Sequence, residues 1–548
     1  MKLRTRGISG TRNQAESERE RAHRVIARKA AAEGIVLLEN NGVLPLKKGS
    51  NVALYGGGAR HTIKGGTGSG SVNNRSNVSI DEGLRNAGFT VTTDTWLDAY
   101  DAAYGQSYKE WKDYIYEISE PGNFDSLYRA HASHPMQMPK GSAITKTEAA
   151  DAIYVISRIS GEGADRKAEP GDYYLSEQEE EELKAIVAER HREEQAWAEA
   201  NPEKAAQQAE WFSGKAPRID WNSIEQKAGD ATRNASAKVL GLLAEQVPNM
   251  ICSSADLSNS DKTEGFLNKT HAFAKGDFSG AFLQAGVAEL TMACCCIGMT
   301  LHGGVISACG TFFVFSDYMK PAIRMAALMK LPVKFIWSHD AFRVGEDGPT
   351  HQPVEQEAQI RLMEKIKNHD GKNSMLVLRP ADVDETTVCW KLAMENTDTP
   401  TGLIFSRQNV NSLPAGTNYA EAARGAYIVS DSEGTPDVIL VASGSEVSTL
   451  VAGAELLHKD GIKTRIVSVP SEGLFRSQSK EYQESIIPAG AKVFGLTAGL
   501  PVNLEGLVGA NGKVWGLDSF GFSAPYKVLD EKLGFNAENV YNQVKAMF

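Results

Sequence analysis

The loop Ser338–Pro353 constrains this chain more than any other segment, because it places many polar groups directly after an apolar strand pattern. The preceding run Val333–Trp337 is β-branched and aromatic, as in a buried strand. The loop then holds two histidines, three carboxylates, an arginine and two glycines. Open parallel sheets collect ligand groups at the carboxyl ends of their strands. The pattern therefore predicts an active-site loop on a parallel α/β sheet; the alternative is a solvated turn.

The alternation of strand and helix continues on both sides of this loop. Further strands are predicted at Met250–Ser254, Met375–Leu378 and Leu403–Ser406, with helices at about 287–300, 353–367 and 383–396. A second α/β unit has predicted strands at Val438–Ala442, Thr464–Val469 and Lys492–Leu496. Nearer the start, the sequence predicts strands at Asn51–Tyr55 and Asp151–Ser157 and a capped helix start at Ser176–Glu179. Residues from about 96 to 147 show no firm period, and their structure stays open.

Charge and cysteine content exclude several classes of protein. A formal charge of −11 argues against a general nucleic-acid or anionic-membrane binder, because phosphate-rich surfaces require a basic face. No run approaches the length of a membrane span, and no secretory signal is apparent, so a cytoplasmic protein is expected. Cys294, Cys295 and Cys296 are consecutive on a predicted helix, where their side chains diverge and cannot share one metal. We expect them to be buried as small apolar residues, and we predict no metal site.

The nine residues from Gly345 to Pro353, Gly-Glu-Asp-Gly-Pro-Thr-His-Gln-Pro, closely resemble a signature of transketolases. The resemblance extends from about Glu189 to Phe548 and includes five further motifs in family order. These are Ser254-Ala-Asp-Leu257, Gly286-Val-Ala-Glu289, Leu301-His-Gly-Gly304, Ser406-Arg-Gln-Asn409 and Phe520-Gly-Phe-Ser-Ala-Pro525. This part is similar to the pyrimidine-binding and C-terminal domains of that family. The Gly-Asp-Gly motif by which the family's diphosphate-binding domain holds a divalent metal does not occur in the sequence.

Residues of about 20 to 187 resemble a different family, the second domain of family 3 glycoside hydrolases. The matching segments are Ala30–Glu39 with Leu44-Pro-Leu46, the glycine loop Lys64–Asn73, and Ser160-Gly-Glu-Gly-Ala-Asp-Arg166. No pattern of the (β/α)₈ barrel that would supply the nucleophilic aspartate follows this block. A helical connector rich in Glu, Ala, Gln and Arg lies between the two resemblances.

The two resemblances together imply three α/β domains with largely parallel sheets. The expected boundaries are 1–187 for a glycosidase-type α/β sandwich fragment, 188–228 for the connector, 229–410 for a thiamine-diphosphate-fold pyrimidine-binding domain, and 411–548 for the transketolase C-terminal domain.

The resemblance also implies a thiamine diphosphate site. Glu289 would share a proton with the pyrimidine N1′, which drives the tautomer shift that activates the cofactor. Phe315 and Tyr318 fall where the family stacks the ring, and Asp256 is a further cofactor residue. From the residues alone, Glu289 could equally be an idle carboxylate at a helix start, and Phe312 and Phe313 are predicted to be core. Mg²⁺ or Ca²⁺ would be held only if a diphosphate-binding domain is supplied in trans.

Sugar-phosphate recognition is implied at six positions. His339 and His351 would contact substrate oxygens and act in catalysis, and Asp347 would bind a hydroxyl. Arg233, Ser260 and Arg407 would bind the phosphate, for which guanidinium geometry is well suited. Arg233 could instead be a solvated residue at a helix start. The loop departs from the commoner Ser-Ile-Gly-Leu with Ala341-Phe-Arg-Val344, and Gln284-Ala285 replaces more usual residues before Gly286.

In the first block, Glu162 is the candidate glycosidase acid/base. A retaining glycosidase needs two carboxyl groups, and only this one is proposed here. Glu162 could equally be a loop residue paired with Arg158 or Arg166.

The sequence thus favours a ketol transferase of the transketolase type, dependent on thiamine diphosphate and incomplete without a diphosphate-binding domain. The expected partners are sugar phosphates, a second copy in a homodimer and a separate diphosphate-binding subunit. The alternatives are a glycoside hydrolase fragment of the β-glucosidase type and an inactive chimera.

Overall fold

A computed structural model describes residues 15–38, 40, 43–66, 70, 76–134, 136, 138–142, 144, 149, 151–159 and 166–548. Backbone contacts divide the chain into two units, Met1–Trp197 and Ala198–Phe548. Each unit is described by itself. No described helix combines the length and apolar character needed to cross a membrane.

The first unit contains a small sheet and five helices, the last of which runs into the second unit. Its strands are β1 (Asn51–Tyr55), β2 (Thr90–Val91) and β3 (Asp151–Tyr154), all parallel in the order β2-β1-β3. Its helices are α1 (Glu18–Gly34), α2 (Ile80–Asn86), α3 (Asp94–Ile118), α4 (Phe124–Ser133) and α5 (Glu177–Ala200). The core joins Leu54 and Tyr55 of β1 to Trp96, Leu97 and Tyr100 of α3.

The second unit opens with helices α6 (Pro202–Trp211) and α7 (Thr232–Gln246) and a six-stranded sheet. The strands are β4 (Met250–Ser254), β5 (Phe282–Gln284), β6 (Ile306–Phe312), β7 (Lys334–Ser338), β8 (Leu376–Leu378) and β9 (Thr401–Phe405). They are all parallel, in the order β5-β4-β6-β7-β9-β8. The intervening helices are α8 (Ser258–Asp261), α9 (Glu264–Leu267), α10 (Glu289–His302), α11 (Ser316–Leu328), α12 (Gln356–Lys365) and α13 (Val383–Glu395).

Helices cover both faces of this sheet, which explains its continuous apolar strands. Every residue of β7 and of β9 is buried. On one face Trp337 packs with helices α10 and α11, and on the other Trp390 of α13 packs against Phe405. Strands that are buried in this way keep the ends of the sheet in fixed positions.

A five-stranded sheet follows in the order β10-β12-β11-β13-β14. Its strands are β10 (Tyr427–Asp431), β11 (Val438–Ala442), β12 (Thr464–Ser468), β13 (Val493–Leu496) and β14 (Lys513–Trp515), and only the β10–β12 pair is antiparallel. Its helices are α14 (Glu446–Lys459), α15 (Glu472–Arg476), α16 (Lys480–Ile486), α17 (Val502–Val508), α18 (Tyr526–Leu533) and α19 (Ala537–Lys545).

A buried ionic network joins the two larger sheets. Arg379, which follows β8 and is 1% exposed, pairs with Asp340 at 2.7 Å, with Glu357 at 3.4 Å and with Glu446 of α14. Arg343 pairs with Asp530 at 2.7 Å and with Glu446 at 3.5 Å. We call these six residues the interdomain network; it fixes the loop after β7 to the C-terminal sheet.

The sequence predictions for the fold are largely confirmed. The α/β class, the parallel strands and the capping box at Ser176 are present, with Glu179 N–H donating to Ser176 Oγ at 3.2 Å. The stretch that showed no period contains α3 and α4, whose faces carry aromatic rings that pack on one another rather than a regular apolar stripe. The prediction that three consecutive cysteines are buried was wrong for two of them. Cys296 is buried, but Cys294 and Cys295 are exposed because successive helical residues point in different directions.

The interdomain network predicts a large effect of removing its central cation. Arg379→Met would leave the carboxylates of Asp340, Glu357 and Glu446 buried beside one another, and we expect a loss of about 3–5 kcal/mol in the free energy of unfolding. Urea denaturation read by hydrogen exchange in peptides covering β7 and β11 measures this loss. Lys372→Met is the control, because Lys372 and Asp398 are 62% and 57% exposed and water screens their pair, so we expect little loss. Equal losses in both variants would contradict the role of the network.

Candidate functional site

The carboxyl ends of the six parallel strands form one edge of the sheet, and most of the predicted site residues lie along it. Asp256 follows β4, Glu289 follows β5, Phe315 follows β6, His339 follows β7 and Arg407 follows β9. Parallel pairing brings these positions to the same edge although they are up to 151 residues apart in sequence, the difference between positions 407 and 256. Such an edge is where open α/β sheets bind ligands.

His339 lies at the centre of this edge. Its backbone has φ +63°, in the left-handed region that non-glycine residues rarely adopt, and such strain is concentrated at functional sites. Ser338 Oγ lies 2.8 Å from Nδ1, which leaves Nε2 for a ligand. Burial, the cationic Arg233 and Arg407, and His351 together lower the pKa of His339 to about 2. The imidazole is therefore neutral at physiological pH.

Aromatic rings stack beside His339. Phe312 lies against the His339 ring, with centroids 3.6 Å apart, and Phe315 stacks on Phe312 at 5.9 Å and on Tyr318 at 6.0 Å. The His351 ring meets Phe315 edge-on at 5.4 Å. We call these five residues the aromatic cluster. It brings both predicted histidines and both predicted stacking residues together, and it offers a flat apolar surface to a ring.

Two guanidinium groups converge near His339. Arg233 Nη1 donates to the Ser260 carbonyl at 2.9 Å, and its Nε is buried without a partner. Burial and the nearby Arg407 lower the pKa of Arg233, despite opposing effects of Asp230, Glu264 and Asp261. Neither arginine forms an ion pair within the described parts of the chain. Two close cations that lack a counter-ion form a site for a doubly charged anion such as phosphate.

Asp261 holds the loop that carries Ser260. This fully buried carboxylate accepts hydrogen bonds from Ser254 Oγ at 2.7 Å and from Thr263 N–H at 2.9 Å. It packs on Gly310 of β6, where an added Cβ would lie 2.9 Å from Asp261 Oδ2 and 2.5 Å from Thr263 Cγ2. A glycine is needed here because the loop lies directly on the strand, and this close approach places Ser260 beside Arg233.

The glycine loop after β7 is held by the C-terminal segment. Gly345 and Gly348 have φ +86° and +74°, which only glycine adopts readily. Gln352 Nε2 donates to the carbonyls of Gly345 at 3.0 Å and Phe522 at 2.9 Å. Ser523 Oγ donates to the Glu346 carbonyl at 2.6 Å. These bonds fix the loop that ends in His351, whose Nδ1 lies 2.9 Å from Thr350 Oγ1.

Glu289 is an acid without a partner at this edge. Glu289 begins α10, and the residue as a whole is only 8% exposed. Its carboxylate has no hydrogen bond or ion pair to another described residue. This unpartnered carboxylate, together with the aromatic cluster on the same edge, fits a ring that presents a nitrogen to a carboxylate.

The structure brings together Arg233, Ser260, Phe315, Tyr318, His339, His351 and Arg407. Asp256, Glu289 and Asp347 lie at the same edge, but no contact among the described residues joins their side chains to that group. Phe313 is core as predicted, whereas Phe312 is buried and also stacks on His339, so the core assignment missed its place in the site. The position of Phe312 at the end of β6, next to the loop that carries Phe315, was the signal that could have assigned it to the site. Glu162 lies outside the described residues.

The geometry defines an α/β domain with two arginines, two histidines and an aromatic cluster at the carboxyl edge of a parallel sheet. Models of known families match the chain in three places. Residues 229–412 match the transketolase pyrimidine-binding domain, residues 425–536 match the transketolase-like C-terminal domain, and residues 35–206 match the C-terminal domain of family 3 glycosyl hydrolases.

Individual relatives agree with these matches. The transketolase of Bacillus subtilis is 39% identical over 392 residues, which cover 69% of this chain and 57% of that protein. The structure of transketolase from Leishmania mexicana superposes with a TM-score of 0.62 at 32% identity, over 67% of this chain and 53% of that one. A Pichia stipitis transketolase in complex with sedoheptulose-7-phosphate gives 0.61 at 31% identity, over 67% and 54%.

Residues 229–412 and 425–536 are thus similar to the pyrimidine-binding and C-terminal domains of transketolases, and they follow a segment that is similar to the C-terminal domain of family 3 glycosyl hydrolases. The chain spans about half the length of the transketolases it matches.

The neutrality of His339 can be measured directly. Because burial and two neighbouring guanidinium groups disfavour the imidazolium, we expect no titration of this ring between pH 5 and 9. Carbon-13 NMR of ring-labelled histidine, with His339→Gln to assign the resonance, gives the result. Arg407→Met removes one of the cations and should raise the pKa of His339 while leaving the ring neutral at pH 7. An inflection near 6.5 in the unaltered protein would contradict this account.

Proposed function

We propose that this chain provides the pyrimidine-binding and C-terminal part of a ketol transferase, which moves a two-carbon unit from a ketose phosphate to an aldose phosphate. The observation that carries the proposal is the convergence of two unpaired guanidinium groups and two imidazoles beside an aromatic cluster. That arrangement suits a phosphorylated polyhydroxy substrate next to a flat ring.

The phosphate would bind between Arg233 and Arg407. Both guanidinium groups lack a carboxylate partner among the described residues, so the anion would lower the mutual repulsion that is already present. Ser260 completes this end of the site, because its carbonyl fixes Arg233 at 2.9 Å while its hydroxyl has no assigned hydrogen bond in the structure. The sugar chain would then extend from the arginines towards His339.

The two histidines would bind the substrate's oxygens. His339 is neutral, so its Nε2 can donate to or accept from a hydroxyl or carbonyl without a net charge in the site. The His351 ring meets Phe312 edge-on, with ring centroids 6.3 Å apart. Asp347, exposed in the same loop, would accept a hydrogen bond from a further hydroxyl. The donors are positioned before substrate arrives, which reduces the entropic cost of reaction.

Thiamine diphosphate, when bound, supplies a nucleophilic carbon for cleaving and forming the bond next to a carbonyl. Glu289 would hold a proton at the pyrimidine N1′, because its carboxylate has no partner among the described residues. Phe315 and Tyr318 would hold the ring by stacking, and Asp256, whose backbone has φ +64°, would add a polar contact. These residues orient one end of the cofactor; none of them is suited to its diphosphate.

The diphosphate and its Mg²⁺ or Ca²⁺ would be held by a separate diphosphate-binding domain acting in trans. Large apolar side chains are exposed around the start of α10 and α11: Val287 is 79% exposed, Leu290 45% and Tyr318 60%. Exposed apolar groups around a site indicate a contact surface for another protein surface. We propose that this surface meets the diphosphate-binding domain, and that the chain also pairs with a second copy in a homodimer.

Reconstitution tests the proposal. Adding a separately expressed diphosphate-binding domain of a similar transketolase should yield ketol transfer from a ketose phosphate, in the presence of thiamine diphosphate and Mg²⁺. Glu289→Gln should lower the turnover number at least about 100-fold, because the variant cannot share a proton with the ring. Glu455→Gln, an exposed change on α14, is the control and should leave the rate unchanged. Association of the partners without transfer, or equal rates in the two variants, would remove the assignment.

The same mixture tests the phosphate site. Arg407→Met removes one charged donor, so KM for an aldose phosphate should rise about 10- to 100-fold. KM for glycolaldehyde, which carries no phosphate, should stay within about twofold. A similar loss for both acceptors would place Arg407 outside the phosphate site.

A further inference from the structure

A large cavity lies at the opposite edge of the six-stranded sheet. Its volume is about 680 Å³, and residues at the amino ends of the strands line it, including Lys334 of β7, Ile306 of β6 and Asn249 before β4. The candidate catalytic residues lie at the carboxyl ends of the same strands. The cavity is therefore separate from the site described above and has no part in the proposed reaction.

The segment that follows α6 closes one side of the cavity. The Phe212 ring lies against Gly303 and Gly304, where an added Cβ at Gly304 would come within 2.6 Å of it. Phe212 also meets the ring of His302 edge-on at 6.0 Å, and Asn249 Nδ2 donates to the Gly304 carbonyl at 3.0 Å. This wall is built by specific contacts, because two glycines with φ +88° and +70° make room for the ring.

Lys334 is a buried cation without a counter-ion. The residue is 2% exposed, and its ammonium donates one hydrogen bond, to the Asn396 carbonyl at 2.7 Å. No carboxylate in the described parts of the chain pairs with it, and an ammonium group has two further N–H donors. Burial lowers the pKa of Lys334 to about 7. A buried ammonium without an anion is unfavourable, and an anionic ligand would remove this cost.

The rest of the lining has the character of a pocket for an organic anion. Its other charged groups are Lys215, Arg218 and Glu210, so three cations face one carboxylate. Apolar surface comes from Trp211, Phe212, Pro217, Pro248, Pro332 and Met394. Polar residues such as Gln246 and Thr300 also line it, so the cavity offers both apolar surface and hydrogen-bonding groups to a small molecule.

We propose that this cavity is a second ligand site, which binds a small organic anion with its carboxylate or phosphate on Lys334 and its apolar body against the Phe212 wall. The bound anion favours the protonated amine. Its affinity should therefore be highest below about pH 7 and fall as the pH rises, because the free protein must then take up a proton to bind it. His302, Glu210, Lys215 and Arg218 are the other titratable or charged groups around this cavity and its closing segment.

Fluorescence titration of the full chain with 8-anilinonaphthalene-1-sulfonate, an anion with an apolar body, provides the test. Lys334→Met, which replaces the amine by an apolar group of similar length, should weaken binding at least about tenfold at pH 6.5. The difference should shrink at pH 9, where the free protein has already lost the proton. Lys459→Met, an exposed change on α14, is the control and should leave binding unchanged.

Displacement identifies the head group. Benzoate and phenyl phosphate should displace the probe, and the one that acts at the lower concentration marks the preferred anion; neutral benzyl alcohol should not displace it. Arg218→Met, on the exposed rim, should weaken binding about threefold or more, so the proposal can be tested even if Lys334→Met folds poorly. Equal binding by the unaltered protein and both cavity variants, an affinity that does not change with pH, or equal displacement by benzyl alcohol would overturn the proposal.

Discussion

The buried ion pair between Arg379 and Asp340 is the interaction on which the candidate site depends most. It joins the residue after β8 to the residue after His339, at 2.7 Å and with both side chains almost fully buried. Arg379 also reaches Glu446 at the start of α14, so the same cation connects the C-terminal sheet to the site loop. Removing one partner from such a group leaves an uncompensated charge in the core, which is why one arrangement of the loop is strongly preferred. The left-handed backbone of His339 is maintained in this setting.

The charges at the carboxyl edge of the six-stranded sheet are arranged differently from those of the interdomain network. In the interdomain network both arginines have carboxylate partners within the protein. Arg233 and Arg407 have none among the described residues, and they lower the pKa of His339 together with burial. Two arginines that lie close together without carboxylate ion-pair partners raise the electrostatic energy of the ligand-free protein. An anionic substrate would relieve this repulsion, so the same feature that destabilises the empty site favours binding.

Some of this could be predicted from the sequence and some could not. Continuous apolar runs such as Val333–Trp337 predict buried parallel strands, and parallel pairing then places the residues after them, including His339 and Arg407, at one edge. The roles of His339, Phe315 and Arg407 were implied by the resemblance to transketolases and stay predictions. The interdomain network was missed because Arg379 and Glu446 are 67 residues apart and no local pattern relates them. Arg343, noted only as a departure from the commoner loop sequence, is explained by its pairing with Asp530. The helices α3 and α4 were missed because ring stacking, and not a regular apolar period, orders their faces.

The two edges of the six-stranded sheet show how burial gives cations different roles. At the carboxyl edge, Arg233 keeps contact with a carbonyl at 2.9 Å and faces a second arginine, so that end is suited to a doubly charged group. At the amino edge, Lys334 is alone, and burial by itself moves its pKa to about 7. An arginine cannot lose its proton at physiological pH, whereas a lysine can when it is desolvated. The first edge therefore remains cationic at all physiological pH values, whereas the amine of Lys334 at the second edge loses its charge as the pH rises through about 7.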